Sequence, residues 1–333
     1  MGRGAARAAL AVLALCAACA ATLGGTLSAF NVSSTTPLAS FTAAADWTAP
    51  TASVAVIGRT TAYYTGDIKQ GASYYVYANV TDTGNPASGI ESVTANVDTI
   101  TSAHPAVALV AGSYNAGGVA YNYRTAALTA NSTLASGSDA FTITSTDKAA
   151  NVETQSFTVT VDNTAPVASD VQSTNVSGGT VGHLDQGDTL TLAYNSVIDP
   201  YSILGGWNGA STKVQVYLVD GGSGNNDSID VYNMESTPGQ IPVGTVDLGS
   251  REYLTTGSGK HIVYGATGAA TPSTMVQSAS SIVITLGTPG GASSTSTTHA
   301  AMIWTPSTSA TDIAGNAVSA NTATQTGITH ANF

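Results

Sequence analysis

Five histidines, His104, His183, His261, His299 and His330, are the candidate general bases of this chain. Acyl transfer needs such a base beside a nucleophile and an orienting carboxylate, and none of the five sits in a motif that supplies those partners. Neither a Gly-X-Ser-X-Gly elbow nor a His-Glu-X-X-His helix is present. Gly257-Ser258-Gly259-Lys260-His261 has the ending of a phosphate-cradling loop, but Leu254 stands where its first glycine is required. These side chains read as solvent-facing loop residues, and the expectation is a protein that is not an enzyme.

Oxygen donors are better placed. Asp220, Asn225, Asn226, Asp227 and Asp230 crowd around the Gly221-Gly222-Ser223-Gly224 stretch. Hard oxygen ligands on a flexible loop suit calcium, and Asp220, Asn225, Asp227 and Asp230 form the candidate set. The spacing fits no EF-hand, and an ordinary Asn/Asp-rich turn explains the same residues without an ion. A second acidic stretch, Val161-Asp162-Asn163-Thr164-Ala165-Pro166, is similar to the calcium-bearing junctions of cadherins but lacks their neighbouring acidic ligands. Calcium is therefore the one cofactor for which the sequence offers ligands. Trp207, in the turn Gly205-Gly206-Trp207-Asn208-Gly209, is the candidate platform for a sugar ring, joined by Tyr75 and Tyr77 on the outward phase of their strand. Loop-packed anchors and cross-strand pairs are the competing explanation.

Charged residues make up only 9% of the 333 residues, and Thr, Val, Gly and Asn replace the Lys, Glu and Arg of helical surfaces. That balance suits pleated strands and tight turns. The formal net charge is −11, and two of the nine basic residues, Arg3 and Arg7, lie near the N-terminus. So acidic a chain has no footprint for a phosphate backbone and is repelled by an anionic lipid surface, which sets nucleic acid aside.

Arg3 and Arg7 precede an apolar run, Ala8 to Leu23, followed by small residues, the layout of a secretory signal. The run is shorter than the ~20 residues a spanning helix needs. Both cysteines, Cys16 and Cys19, fall inside it, so the mature chain is expected to hold no disulfide. Leu23-Gly24-Gly25-Thr26-Leu27-Ser28-Ala29-Phe30 resembles leaders cut by the SipW-type signal peptidase, which exports TasA-like matrix proteins. The resemblance implies cleavage between Ala29 and Phe30, and membrane contact only through the leader.

The chain also repeats itself. Asp46-Trp47-Thr48-Ala49-Pro50 recurs as Asp162-Asn163-Thr164-Ala165-Pro166, and Gln70-Gly71 recurs at the same offset as Gln186-Gly187. After each Gln-Gly a strand alternates: Tyr74, Val76 and Ala78 in the first copy, Leu190, Leu192 and Tyr194 in the second, a period that turns one face to a core. Asp147-Lys148-Ala149-Ala150-Asn151 closes the first copy and Asp312-Ile313-Ala314-Gly315-Asn316 the second. The second copy is longer by an insertion around 220–280, which reads as long loops or an added hairpin. These openings and closings resemble the bacterial immunoglobulin-like repeats of surface proteins. The expected fold is all-β: residues 1–29 a signal helix, 30–49 a linker, 50–163 and 164–326 two tandem immunoglobulin-like sandwiches, 327–333 a tail. The resemblance implies a secreted or cell-surface spacer or matrix subunit, partnered by cell-wall or matrix components or by its own copies. The alternative is an extracellular glycan- or calcium-binding module.

Overall fold

The computed structural model describes residues 46–255, 257, 259–298, 300–327 and 332–333. The expected leader with its expected Ala29–Phe30 cleavage point, most of the expected linker, His299 and His330 lie outside the described residues. The fold is all-β, in two sandwich modules, each with its own sheet system and core.

The first module runs β1 (Thr51–Arg59), β2 (Asp67–Ile68), β3 (Ser73–Thr81), β4 (Ile90–Asn96), β5 (Val107–Ala116), β6 (Val119–Thr125), β7 (Leu128–Thr129), β8 (Gly137–Asp147) and β9 (Val152–Val161). One sheet has the order β1-β3-β6-β5 and the other β4-β8-β9, with β2 added parallel to β9. This is the ABED/CFG arrangement of an immunoglobulin-like sandwich. β5 belongs to both layers: Val107 and Ala108 pair with β4, and the rest of the strand pairs with β6. The alternation after Gln70-Gly71 does what its period requires. Tyr74, Val76 and Ala78 are fully buried, against Phe141, Ile143, Val159 and Val161 of the facing sheet. Tyr77, on the other phase, is also buried, because Tyr121 covers its ring at 5.4 Å.

The second module runs β10 (Ala168–Thr174), β11 (Thr189–Tyr194), a single helical turn α1 (Pro200–Ile203), β12 (Thr212–Val219), β13 (Ser228–Tyr232), β14 (Thr245–Asp247), β15 (His261–Tyr264), β16 (Ser273–Ser278), β17 (Ser281–Thr285), β18 (Ile303–Thr305) and β19 (Ala323–Thr324). The layer β10-β11-β17-β16 repeats the first layer of module one. The other layer is rebuilt. In the first module β4 pairs directly with β8, whereas here β13 and β14 come between β12 and β18, and β15 flanks β12. The insertion is therefore more than loops with one hairpin. It contributes inner strands, and its Ile229, Val231, Val243, Val246, Leu248 and Tyr253 are core residues. Trp304 of β18 is fully buried against them, with its indole N–H donating to the Val243 carbonyl at 2.8 Å and its ring edge-on to Tyr194.

Candidate functional site

The repeated openings and closings are one device, built twice. In module one the Asp46 carboxylate accepts the Thr48 N–H at 2.9 Å, and in module two Asp162 accepts from Thr164 at 2.8 Å. Asp147 accepts the backbone N–H of Asn151 at 2.8 Å and its side-chain amide at 2.7 Å. The same amide donates to the Asp46 carbonyl at 3.1 Å, tying the entry of the module to its last hairpin. Asp312, Asn316 and the Asp162 carbonyl repeat every bond, at 2.8, 3.0 and 2.9 Å. The motifs are thus staples between the module's two ends.

A third acidic residue joins each staple. Asp82 follows β3 in the first module, and Asp199 follows β11 in the second. At the junction Asp199 and Asp312, the latter beside Asp162, meet Arg59 from the end of β1. The guanidinium is 11% exposed and pairs at 2.6 Å with Asp199, whose side chain is 0% exposed. It also donates to the Ile313 and Asp312 carbonyls at 2.9 and 3.3 Å. Asp199 further accepts the N–H of Tyr63 from module one and of Tyr201 from its own α1. Burial pushes the Asp199 carboxyl above its ordinary range against these donors, and pushes Asp312 and Asp67 up as well. Burial likewise lowers the Arg59 guanidinium, opposed by Asp199. Desolvation of both partners is the dominant cost here, so the pair fixes which surfaces meet more than it adds net stability.

Gly315 makes that contact sterically feasible. A β-carbon there would lie 2.7 Å from an Arg59 nitrogen, and its φ of 96° also favours glycine. In the first module the same position is Ala150, which carries the methyl group.

The residues singled out for chemistry fall as follows. Asp220 and Asp227 are buried and lie near each other. Their carboxylates accept backbone N–H groups of Gly222 and Gly257, and of Gly221 and Leu254. Asp230 sits on β13, bound to Thr245 and Gln240, and Asn225 donates to the Gly221 carbonyl. The loop carboxylates thus organise turns, and Asp230 belongs to a different set of partners. A cleft of about 300 Å³ is lined there by Asp220, Gly222, Arg251 and Thr255. Trp207 is 5% exposed and its indole donates to the Ala210 carbonyl at 2.6 Å. It is a core residue with no free face, so the sugar platform assigned to it is corrected to a packing role. Tyr75 instead borders a second cleft of about 280 Å³, with Tyr63, Tyr77, Asn115, Arg124 and Tyr201. Arg124 lies over the rings of Tyr75 and Tyr114 at 4.2 and 4.4 Å.

His183 has partners that its sequence gave no sign of. Its Nδ1 is 2.9 Å from Asp185 and its Nε2 is 3.2 Å from the Ser293 hydroxyl. These are the distances of a nucleophile, base and orienting carboxylate. Ser293 Oγ also bonds the Tyr264 hydroxyl at 3.2 Å, and Asp185 accepts the Thr180 N–H. Neither cleft above is lined by any of the three. The chain of bonds pins the 288–298 segment onto the loop before β11. His261 stacks on Tyr217 at 4.8 Å, which stacks on Tyr232.

No protein-family model matches the chain, and no characterised protein matches it in sequence. Among the described residues, one group of three acidic side chains has oxygens within 4.8 Å of one another: Asp46, Asp82 and Asp147. Sequence reasoning passed over this trio although two of its members are the repeated motif residues. The available signal was the third: Asp82 and Asp199 follow equivalent strands at nearly the repeat offset.

Proposed function

We propose that this chain is a secreted or cell-surface structural protein, akin to bacterial immunoglobulin-like repeat proteins, in which the two modules form a spacer or matrix subunit. The observation that carries this reading is the junction. Arg59 and Tyr63 of one module meet Asp199, Asp312 and Ile313 of the other through buried, directional bonds. A spacer transmits position only if its joints hold an angle, and a joint made of charge-assisted hydrogen bonds does so. The leader's layout supports an extracellular setting. Fractionation of the host tests the compartment, and recovery of the mature chain in the cytoplasm would overturn it. X-ray scattering tests the joint: one set of inter-module distances is expected, whereas a broad distribution refutes the spacer.

A second reading, an extracellular glycan-binding module, is favoured by the tyrosine-lined cleft beside the junction. Aromatic rings flanked by Arg and Asn suit a sugar face and its hydroxyl groups. A glycan array probed with the intact protein and with Tyr63→Ala decides it, and silence of the intact protein disposes of it.

A further inference from the structure

The outer face of the β1-β3-β6-β5 layer carries a cation that no carboxylate neutralises. Arg124 of β6 pairs in register with Tyr77 of β3. Its guanidinium carbon stands 4.2 Å from the centre of the Tyr75 ring and 4.4 Å from that of Tyr114, and the Tyr77 hydroxyl lies beside it as well. Arg124 takes part in neither of the two ion pairs among the described residues, although the chain carries 20 Asp and Glu against 9 Lys and Arg. Its Nε is closed off from water, so part of the hydration of the charge is already lost. The tyrosine rings offset some of that cost, but a ring gives the N–H fork no oxygen to bind.

Arg124 lines the cleft of about 280 Å³ beside the junction. Two further rings of its wall, Tyr63 after β1 and Tyr201 of α1, face each other at 5.5 Å. Asp199 accepts the backbone N–H of both, so the carboxylate that holds Arg59 also sets these rings. Arg59 belongs to the same wall, but its charge is spent on Asp199. The cleft thus combines one uncommitted positive charge, ring faces from both modules and the amide of Asn115. It is complete only while the joint is closed, because Tyr63 and Tyr201 come from different modules.

We propose that this cleft binds an acidic sugar, a uronic-acid ring whose carboxylate sits on Arg124 and whose face lies against the tyrosines. The proposal rests on the glycan-binding reading and names the class of glycan. A guanidinium fork matches the two oxygens of a carboxylate, which an ammonium or an amide does not. Aromatic faces suit the apolar side of a sugar ring, and a bare anion would leave them unused. The volume is at the lower end of small-molecule pockets, about 300 Å³, which fits one ring rather than a long segment. The net charge of −11 narrows the class further. A densely charged polyanion would bring many like charges to an acidic surface, whereas a single carboxylate meets the one cation.

The test is a calorimetric titration of the intact protein with glucuronate, its methyl ester and glucose. Glucuronate should bind at least about tenfold more tightly than either neutral sugar, the gain that a hydrogen-bonded charge supplies, and the preference should shrink as salt is added. Arg124→Met should remove the preference and leave the neutral sugars as they were. The comparison of glucuronate with its ester needs no variant, so it decides the matter should Arg124→Met not fold. Equal affinity for glucuronate and glucose overturns the acidic-sugar assignment and leaves the glycan reading standing. Silence to all three sugars also overturns the assignment, and the glycan array then judges the broader reading separately. Glucuronate binding that survives in folded Arg124→Met refutes the site. Inorganic phosphate that displaces glucuronate at equal concentration refutes the sugar, since charge alone would then be read.

Discussion

Arg59→Met is the sharpest probe of the joint. The substitution keeps the apolar stem and removes the guanidinium, so three hydrogen bonds vanish: to the Asp199 carboxylate and to the Ile313 and Asp312 carbonyls. Asp199 stays fully buried, with only the N–H groups of Tyr63 and Tyr201 to stabilise its charge. Removing one partner of a buried pair costs about 3–5 kcal/mol, because the other charge is left behind. At a urea slope of about 2 kcal/mol/M that is a midpoint shift of roughly 1.5–2.5 M. Trp207 and Trp304 are both buried in the second module, so intrinsic fluorescence follows its unfolding. The double variant Arg59→Met/Asp199→Asn removes the stranded charge and should recover much of the loss. A coupling of about 2 kcal/mol or more is expected for groups in direct contact. A single-variant cost below about 1 kcal/mol would refute the reasoning, since a surface pair gives no more.

Three further outcomes follow from the same contacts. Burial, then Asp162 and Asp312, raise the Asp67 carboxyl, so its folded form favours the proton more than its unfolded form does. The stability it contributes is present below the ordinary value of 3.8 and lost as pH rises through the raised pKa, so Asp67→Asn should raise the urea midpoint at pH 7 and leave it unchanged at pH 3. Asn316→Ala removes an amide that bridges the Asp312 carboxylate and the Asp162 carbonyl, and should cost about 2–3 kcal/mol in chemical denaturation, with Asn151→Ala acting the same way on the first module. Trp207→Ala should destabilise the second module by about 3–5 kcal/mol in urea unfolding, as a core truncation does, and leave any glycan binding by the folded protein intact.

What could be read from the residues was whatever is local. Tyr74, Val76 and Ala78, and their counterparts Leu190, Leu192 and Tyr194, show their buried face because strand alternation needs no knowledge of the partner sheet. The staples were legible as repeated motifs, but their bonding was not, since Asn316 reaches back to the Asp162 carbonyl across most of the module. The insertion was under-read. Ile229 and Val231 alternate with Ser228, Asp230 and Tyr232, a strand signal obscured by the Gly- and Asn-rich run just before it. Trp207 misled for the opposite reason: glycines on both sides suggest an exposed turn, while the chain folds back and buries the ring. The Arg59–Asp199 pair left no trace, because nothing in either segment's own pattern depends on the other.

The strands threaded between β12 and β18 set the order in which the two modules reach their native state. In the first module Tyr77 of β3 pairs with Arg124, whereas in the second Leu190 of β11 must find Ile284, closing a loop about twice as long. Chains dominated by distant pairings fold more slowly, so the first module should complete its sandwich while the second is still searching. Synthesis from the N-terminus sharpens that difference. Arg59 and Tyr63 are then already in place when Asp199 and the closing turn form, and the finished module serves as a template against which the end of its neighbour is assembled.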